Sequence, residues 1–413
     1  MYLRGSKWNM TRRTRKPSNP LVLLVLILAI GGLFYFQKKY LPTISVNMPF
    51  IPTPTVTRSP ESFLNEAESL TAQGKISQAI EAYEQAIISD PTNPSTYIAM
   101  ARTQLMAGLY QEALNNADNA LLLNPNNAMA LTVKAWALNY MEDYLGAEGV
   151  IAQALELDAN NALAYAVNAE ILLDQGNYED IETAIQMSRK AQELAPNALE
   201  THRIRGYVLF YTANYEDALV EYQAAIALND KLWDLHYSLG AIYKATGEYD
   251  LAVQEMLAAV ALNPTNPDIL TEISRTYAAV GQFGKAIQYA EQALSLDPTS
   301  PRLHGNLGVM LFKSEEYSRA ASELALAVQG GLTADGTAVQ GLPLAPGRIA
   351  DDYYSIYALS LTNLDRCAQA VPIMQLILSN IADDQVAYYN AVQGMEYCRQ
   401  AVVTATPETD VTP

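Results

Sequence analysis

Histidine and cysteine are the residue types in this chain that could bind a metal ion or act as nucleophiles, and both are scarce. The 413 residues include three histidines and two cysteines. His202, His236 and His304 occupy the same position in three units of a regular sequence repeat. Equivalent positions in stacked helical units are at least ~8–10 Å apart, whereas bonds from nitrogen to a metal are ~2 Å long. We therefore interpret the histidines as packing residues and predict no metal site.

Common catalytic and nucleotide-binding motifs are missing from the sequence. These include G-x-S-x-G, H-E-x-x-H, the phosphate-binding G-x-x-x-x-G-K-[ST] and G-x-G-x-x-G. Pairs of carboxylates are numerous, but the chain has a net charge of -18, so they are expected on its solvated surface. Nucleic-acid binding needs a basic footprint, which argues against such a partner. The sequence predicts neither an enzyme nor a cofactor.

Proline and alanine residues recur along the chain at a regular interval, which is long enough for one pair of helices. Proline marks the ends of successive units at Pro91, Pro125, Pro264 and Pro298. Pro196 closes one unit that is three residues longer, with the extra residues near 181–182. Small alanine side chains let two helices approach closely. An alanine marks the predicted start of each second helix, at Ala79, Ala113, Ala147, Ala184, Ala218, Ala252, Ala286 and Ala320.

This pattern resembles the tetratricopeptide-repeat family, most clearly in WDLHYSLGAIYKATGEYDLAVQEMLAAVALNPTNP at 233–267. The resemblance implies an all-α, right-handed superhelical solenoid of about nine helix-turn-helix repeats across 61–400. A last helix at 385–400 is expected to cap the open apolar face, followed by a disordered tail at 401–413. We place the repeats at 60–93, 94–127, 128–161, 162–198, 199–232, 233–266, 267–300, 301–334 and 351–384.

An irregular segment at 329–350 interrupts the array. It contains five glycines and two prolines and has no helical period. Long loops are uncommon inside compact arrays and are often functional. The segment is either a tolerated insertion between helices or an arm that contacts a ligand or a neighbour, and the sequence leaves both open.

The N-terminal region differs in charge from the repeats. Residues 1–60 hold nine of the 26 basic residues and none of the 44 acidic ones, which leaves -27 for 61–413. The uncharged run from Leu21 to Phe36 predicts a transmembrane helix at 21–41, between a basic cytoplasmic segment at 1–20 and a proline-rich linker at 42–60. The flanking charges predict a cytoplasmic N-terminus and repeats outside the cytoplasm. A cleaved signal peptide is the alternative.

The resemblance also implies a partner-binding groove, because the first helix of each repeat faces the concave side in that family and contacts a peptide. Aromatic residues and arginine are frequent in binding hot spots. The alternative is that the aromatic residues pack between helices. The family's carboxylate clamp is absent, since the positions that require asparagine hold other residues. The predicted groove residues are Arg102, Trp136, Asn139, Tyr140, Arg203, Tyr207, Phe210, Tyr211, Lys244 and Arg275; Arg302 also occupies a groove position, and Lys313 lies beside them.

We predict a disulfide between Cys367 and Cys398. Cys367 lies at the start of the ninth repeat's second helix, and Cys398 lies near the end of the capping helix. In an antiparallel stack, the end of one helix lies beside the start of its predecessor. Export would place both residues where disulfides persist. The alternative is a pair of buried free thiols.

The leading functional hypothesis is a non-enzymatic, membrane-anchored scaffold that binds protein or peptide segments and helps to organise envelope proteins. A subunit of a secretion or pilus-assembly machine is a more specific form of the same hypothesis. A regulatory part of an enzyme such as a glycosyltransferase is disfavoured, because no segment outside the repeats is long enough for a catalytic domain. The sequence predicts neither the partner's identity nor the oligomeric state.

Overall fold

The computed structural model describes residues 20–40 and 58–405. They belong to two units, 1–57 and 58–413. The predicted basic segment up to residue 19, the linker from 42 to 57 and the tail from 406 onwards lie outside the described residues.

The first unit contains one described helix, α1 (Pro20–Tyr40). No helix in the described parts of the chain is both long enough and apolar enough to cross a membrane. The transmembrane helix predicted at 21–41 is therefore not supported. Its uncharged run of 16 residues spans about 24 Å, which is short of a hydrocarbon core of about 30 Å.

The second unit is a stack of antiparallel helix pairs, which confirms the predicted all-α repeat solenoid. In the first eight repeats, the first helices begin where the sequence analysis placed them. The second helices begin three residues earlier than predicted, so that Ala79 lies within α3 rather than at its start. The helices are α2 (Pro60–Ala72), α3 (Ile76–Ser89), α4 (Pro94–Met106), α5 (Tyr110–Leu123), α6 (Ala128–Tyr140), α7 (Tyr144–Leu157), α8 (Ala162–Asp174), α9 (Ile181–Leu194), α10 (Leu199–Tyr211), α11 (Tyr215–Leu228), α12 (Trp233–Ala245), α13 (Tyr249–Leu262), α14 (Pro267–Ala279), α15 (Phe283–Leu296), α16 (Pro301–Lys313), α17 (Tyr317–Gln329), α18 (Ser355–Asn363), α19 (Cys367–Asn380) and α20 (Gln385–Ala405).

Local sequence signals explain where the helices begin. Asparagine caps several first helices, and in α6 the Asn127 side chain accepts a hydrogen bond from the Ala130 amide at 3.0 Å. Proline occupies the first position of α4, where its missing N–H costs nothing. The turn within each repeat needs one residue with positive φ, and glycine usually supplies it, as at Gly108. Glu142, Ala213, Glu315 and Asp365 adopt the same conformation in the other four repeats.

Small residues let the two helices of each repeat pack closely. Ala79 and its equivalents in the later repeats are fully buried. A Cβ added to Gly206 would lie 2.7 Å from the Tyr222 ring, and one added to Gly240 would lie 2.8 Å from Met256. The alanine and glycine spacing seen in the sequence therefore records helix–helix contact.

Two repeats depart from regular geometry. The three extra residues of the fourth repeat form a 3₁₀ turn, Tyr178–Asp180, directly before α9. The ninth repeat begins with a π-helical segment, Ile349–Tyr354, that continues into α18. This segment buries Tyr353 against Gly305, where an added Cβ would lie 2.6 Å from the ring.

The insertion at 329–350 forms a small β-hairpin, an element that the sequence analysis did not predict. Strand β1 (Gly331–Leu332) pairs antiparallel with β2 (Ala338–Val339). The Leu342 amide donates a hydrogen bond to the Ala327 carbonyl at 2.8 Å, and the Tyr354 hydroxyl donates to the Leu342 carbonyl at 2.8 Å. These bonds attach the insertion to α17 and to the ninth repeat.

The capping helix α20 packs on α18 and α19 and extends to Ala405. The first five residues of the predicted tail, 401–405, are therefore helical. Cys367, at the start of α19, forms a disulfide with Cys398 of α20, so the last helix is covalently attached to the repeat beneath it.

Candidate functional site

Contacts across the concave face join repeats that are far apart in sequence. The indole N–H of Trp233 in α12 donates a hydrogen bond to the Met106 carbonyl at 3.2 Å, 127 residues earlier in the chain. Arg102 of α4 forms an ion pair with Glu200 of α10. The first helices of the second to sixth repeats therefore surround an inner space instead of lining an open groove.

The central cavity, as we call this space, has a volume of about 290 Å³. Seven aromatic residues line it, together with four carboxylates and one arginine. Its aromatic lining is Tyr110, Trp136, Tyr140, Tyr207, Tyr222, Trp233 and Tyr237, and its charged lining is Glu170, Asp174, Glu200, Asp234 and Arg203.

Arg203 is the centre of the polar network in the cavity wall. Its Nη2 donates to Glu170 Oε2 at 2.9 Å, and its Nη1 donates to the Tyr140 hydroxyl at 3.0 Å. The guanidinium also lies 5.0 Å from the centre of the Trp136 ring, within the range of a cation–π interaction. Glu170 is only 5% exposed, so this ion pair is shielded from water.

Asp174 forms the second part of the network, with neutral partners. The Tyr207 hydroxyl donates to its Oδ1 and Asn139 Nδ2 donates to its Oδ2, both at 2.6 Å. Burial raises the pKa of Asp174 above its usual value, although these two hydrogen bonds oppose the change. Burial likewise raises the pKa of Glu170, despite the opposing charge of Arg203.

Several predicted groove residues belong to this wall. Trp136 is only 4% exposed and Asn139 is also buried, so neither is a surface anchor. The structure thus favours the alternative that these side chains pack between helices. Tyr140, Arg203 and Tyr207 line the central cavity.

The remaining predicted groove residues are dispersed. Phe210 packs against Tyr215, with ring centres 5.8 Å apart, and Tyr211 is partly exposed. Lys244 and Arg275 both form ion pairs with Glu272 at 2.7 Å. The structure therefore divides the predicted single groove into the central cavity and a separate surface near the C-terminal repeats.

That separate surface is a cleft between α14, α16 and the π-helical segment, with a volume of about 260 Å³. Arg275, Lys313 and Arg348 bring three cationic groups to it. Lys313 is exposed and forms no ion pair with any described residue, and Arg348 is 3.9 Å from Asp352. We call this surface the C-terminal cleft; its lining is Arg275, Ala278, Ala279, Asn306, Val309, Met310, Lys313, Arg348, Asp352 and Tyr353.

The sequence analysis missed the four carboxylates that line the central cavity, and it missed Arg348 in the lining of the C-terminal cleft. Glu170 and Arg203 are separated by almost one repeat length, and this spacing between opposite charges was an available signal. Trp233 and Asp234 gave no such signal, because they reach the cavity only through contact between distant repeats. Arg348 lies in the irregular insertion, which no repeat pattern positions.

Each histidine bonds a glutamate on the second helix of the same repeat, at a constant separation along the chain. The Nδ1 atoms of His202, His236 and His304 lie 2.6, 2.7 and 2.6 Å from carboxylates of Glu221, Glu255 and Glu323, respectively. These pairs join the two helices of a repeat. No group of three His, Cys, Asp or Glu residues within the described chain could hold a metal ion.

Comparison with protein families identifies tetratricopeptide repeats in this chain. One tetratricopeptide-repeat model matches residues 70–137 and 277–331, a second TPR model matches 206–247, and a third matches 234–266. No curated protein matches the sequence.

Several solved structures resemble the chain at low identity. The APC/C hetero-tetramer Cut9-Hcn1 is 19% identical over 61% of this chain and 49% of that chain, with a TM-score of 0.49, so this chain spans about half of that relative. PilW, a type IV pilus biogenesis factor, is 22% identical over 48% of this chain and 90% of its own, with a TM-score of 0.44. YrrB, a TPR protein with an unusual peptide-binding site, is 23% identical over 44% of this chain and 92% of its own, with a TM-score of 0.32. Likenesses this distant carry no argument about function.

Removing the cation of the buried network should destabilise the repeats. In Arg203→Met, Glu170 would remain buried without its ion-pair partner, which typically costs about 3–5 kcal/mol. Combining it with Glu170→Gln should recover most of that loss, because the charge that Arg203 neutralises at shortest distance is then removed as well. Chemical denaturation followed by circular dichroism measures the free energy of unfolding. Arg189→Met, on the exposed face of α9, is the control, and equal stability of Arg203→Met and this control would contradict the prediction.

His304 should make stability depend on pH. Burial alone would lower the pKa of His304. Its bonds to Glu323 and to the Pro298 carbonyl raise the pKa by more than burial lowers it, so the net pKa lies above the usual value. A raised pKa in the folded state stabilises the fold fully below about pH 6.5, and this contribution is lost as pH rises through the folded value. Glu323→Gln should lower the pKa of His304 and flatten that dependence.

NMR titration of the imidazole resonances in the parent and in Glu323→Gln tests this expectation, alongside the free energy of unfolding at each pH. His236, which bonds Glu255, is the internal reference. An unchanged His304 titration in the variant would refute the assigned role of Glu323.

Proposed function

We propose that the tetratricopeptide repeats of this chain form a non-enzymatic scaffold, which binds an acidic segment of a protein partner in the C-terminal cleft and helps to organise envelope proteins. The observation that supports this proposal is the concentration of Arg275, Lys313 and Arg348 around one cleft. The rest of the molecule makes this concentration unusual, since residues 61–413 have a net charge of -27.

The availability of these charges supports binding at the cleft. Arg275 already bonds Glu272 and Asn306, so its guanidinium is held in place. Lys313 is exposed and has no ion-pair partner among the described residues, and the nearest carboxylate to Arg348 lies 3.9 Å away. Both side chains can therefore bond a carboxylate of the partner without breaking a short ion pair.

The mixed lining of the cleft favours a peptide segment over a small ion. Val309, Met310 and Ala278 are apolar residues of the same lining as the charged groups. Alternating acidic and apolar side chains on the partner would match this arrangement. Electrostatic complementarity of this kind mainly sets specificity and the association rate, so we expect salt to weaken binding.

Reversing the charges of Lys313 and Arg348 should abolish the preference of the C-terminal cleft for acidic peptides. Selection of a displayed random peptide library for binding to the full chain should enrich acidic sequences. Lys313→Glu combined with Arg348→Glu should weaken binding of the selected peptides at least about tenfold. Fluorescence anisotropy with a labelled peptide measures the loss.

The matched control is Arg189→Glu combined with Lys190→Glu, which makes the same change in net charge on the exposed surface of α9. Its affinity should stay within about twofold of the parent. An equal loss in both double variants would indicate non-specific attraction, and an unchanged affinity in the cleft variant would refute the site.

We also propose that the repeats function outside the cytoplasm. The disulfide between Cys367 and Cys398 supports this location, since disulfides persist in oxidising compartments and are rare in the cytosol. An envelope location would in turn give the scaffold access to exported partners.

Trapping thiols during cell lysis tests the location. Alkylation followed by mass mapping of non-reduced peptides should recover the peptides of Cys367 and Cys398 joined to each other. Two alkylated cysteines would contradict the proposed compartment. Recombinant protein oxidised in vitro provides the positive control for the cross-linked peptide.

A further inference from the structure

The composition of the central cavity is unusual for a space between packed helices. Its wall combines seven aromatic side chains with four carboxylates, whereas Arg203 is the single cationic residue in its lining. An ordinary helix–helix interface would be filled with aliphatic side chains. A volume of about 290 Å³ is at the small end of the range for ligand pockets.

The carboxylates of the cavity are only partly neutralised. Glu170 pairs with Arg203, and Glu200 pairs with Arg102. Asp174 is bonded by two neutral donors, Tyr207 and Asn139. Asp234 lies 3.8 Å from Arg203, which Glu170 already bonds at shorter distance, and its side chain retains 35% exposure. The site therefore has two acidic groups without a close cation of their own.

The aromatic residues supply the second element of a cation site. Tyr110 and Tyr140 lie with ring centres 4.9 Å apart, and Trp233 and Tyr237 lie 6.3 Å apart on the α12 side. Faces of aromatic rings attract cations, and rings combined with carboxylates bind ammonium groups that carry alkyl substituents. Arg203 stacked on Trp136 is an internal example of the same interaction.

An anionic ligand fits the cavity poorly. The one lining cation, Arg203, already donates to Glu170 and to Tyr140 and is approached by Asp234. An anion would have to displace these partners and would face four carboxylates. Trp136 Nε1 is buried without a hydrogen bond of good geometry to the described residues, but a lone neutral donor does not offset that charge.

We propose that the central cavity is a binding site for an organic ammonium ion, with Asp234 and Asp174 as its counter-charges and Tyr237 and Trp233 among its aromatic walls. The ammonium group belongs either to a free small molecule or to a lysine side chain of a bound polypeptide. This site is distinct from the C-terminal cleft, and it does not rest on the function proposed there.

Calorimetric titration of the full chain tests this proposal with three compounds. Choline represents a free quaternary ammonium ion, N-acetyl-lysine methylamide represents a lysine side chain, and dimethylbutanol is the neutral isostere of choline. We expect saturable binding of one or both cations and at least about tenfold weaker binding of the neutral isostere. Binding of choline indicates a small-molecule ligand, whereas binding of the lysine derivative alone indicates a polypeptide ligand.

Variants then identify the site. Asp234→Asn should weaken cation binding about tenfold, and Tyr237→Leu should weaken it about fivefold, whereas Tyr237→Phe, which keeps the ring, should change it by less than about twofold. Asp250→Asn, on the exposed first turn of α13, removes one negative charge elsewhere and should leave affinity unchanged. Circular dichroism confirms that each variant is folded.

Three outcomes would overturn the proposal. They are the absence of saturable binding by either cation, equal binding of choline and dimethylbutanol, and an affinity for cations that is the same in Asp234→Asn and Asp250→Asn. Binding of inorganic phosphate that is lost in Arg203→Met would also overturn it, since that result would make the cavity an anion site.

Discussion

Close contact between the two helices of each repeat is the constraint on which the remaining structure depends. At Gly206, Gly240 and Gly308, the partner side chain occupies the space where a Cβ would stand. Alanine, or serine at Ser274, fills the equivalent positions of the other repeats and is buried. The stacking of these helix pairs brings α4 and α12 together across the concave face.

The repeat pattern made the fold predictable, whereas the shape of the concave face depends on contacts that no pattern records. Proline, asparagine and alanine act locally, so their spacing located the first helices of the regular repeats. Trp233 meets Met106 only after the intervening repeats have accumulated their rotation. The hairpin likewise depends on backbone approach between Gly330 and Gly341, where an added Cβ on either residue would lie 2.6 Å from the other's amide nitrogen.

Several of the predicted groove residues are buried in the cavity wall instead of lying on an open binding surface. Aromatic and arginine side chains were expected at a binding surface, and they do line a concave space. Their partners, however, are carboxylates of the same cavity wall. Arg203 forms an ion pair with Glu170, and Tyr207 and Asn139 donate hydrogen bonds to Asp174. Sequence position indicates the face of a helix on which a residue lies, but it does not reveal whether that face meets solvent or another repeat. The cationic C-terminal cleft is a separate surface, lined by residues of α14, α16 and the π-helical segment.

The bond between Trp233 and Met106 alters how the solenoid can come apart. Stability in an open repeat array is a sum of nearest-neighbour terms, so such an array loses its repeats one at a time from its ends. A contact that joins the second repeat to the sixth adds a term shared by all the repeats between them. Those repeats are therefore expected to unfold more cooperatively than the units of an open array, because the loss of one member removes an interaction that the others share. The array is in this respect closer to a globular domain than to a linear chain of units.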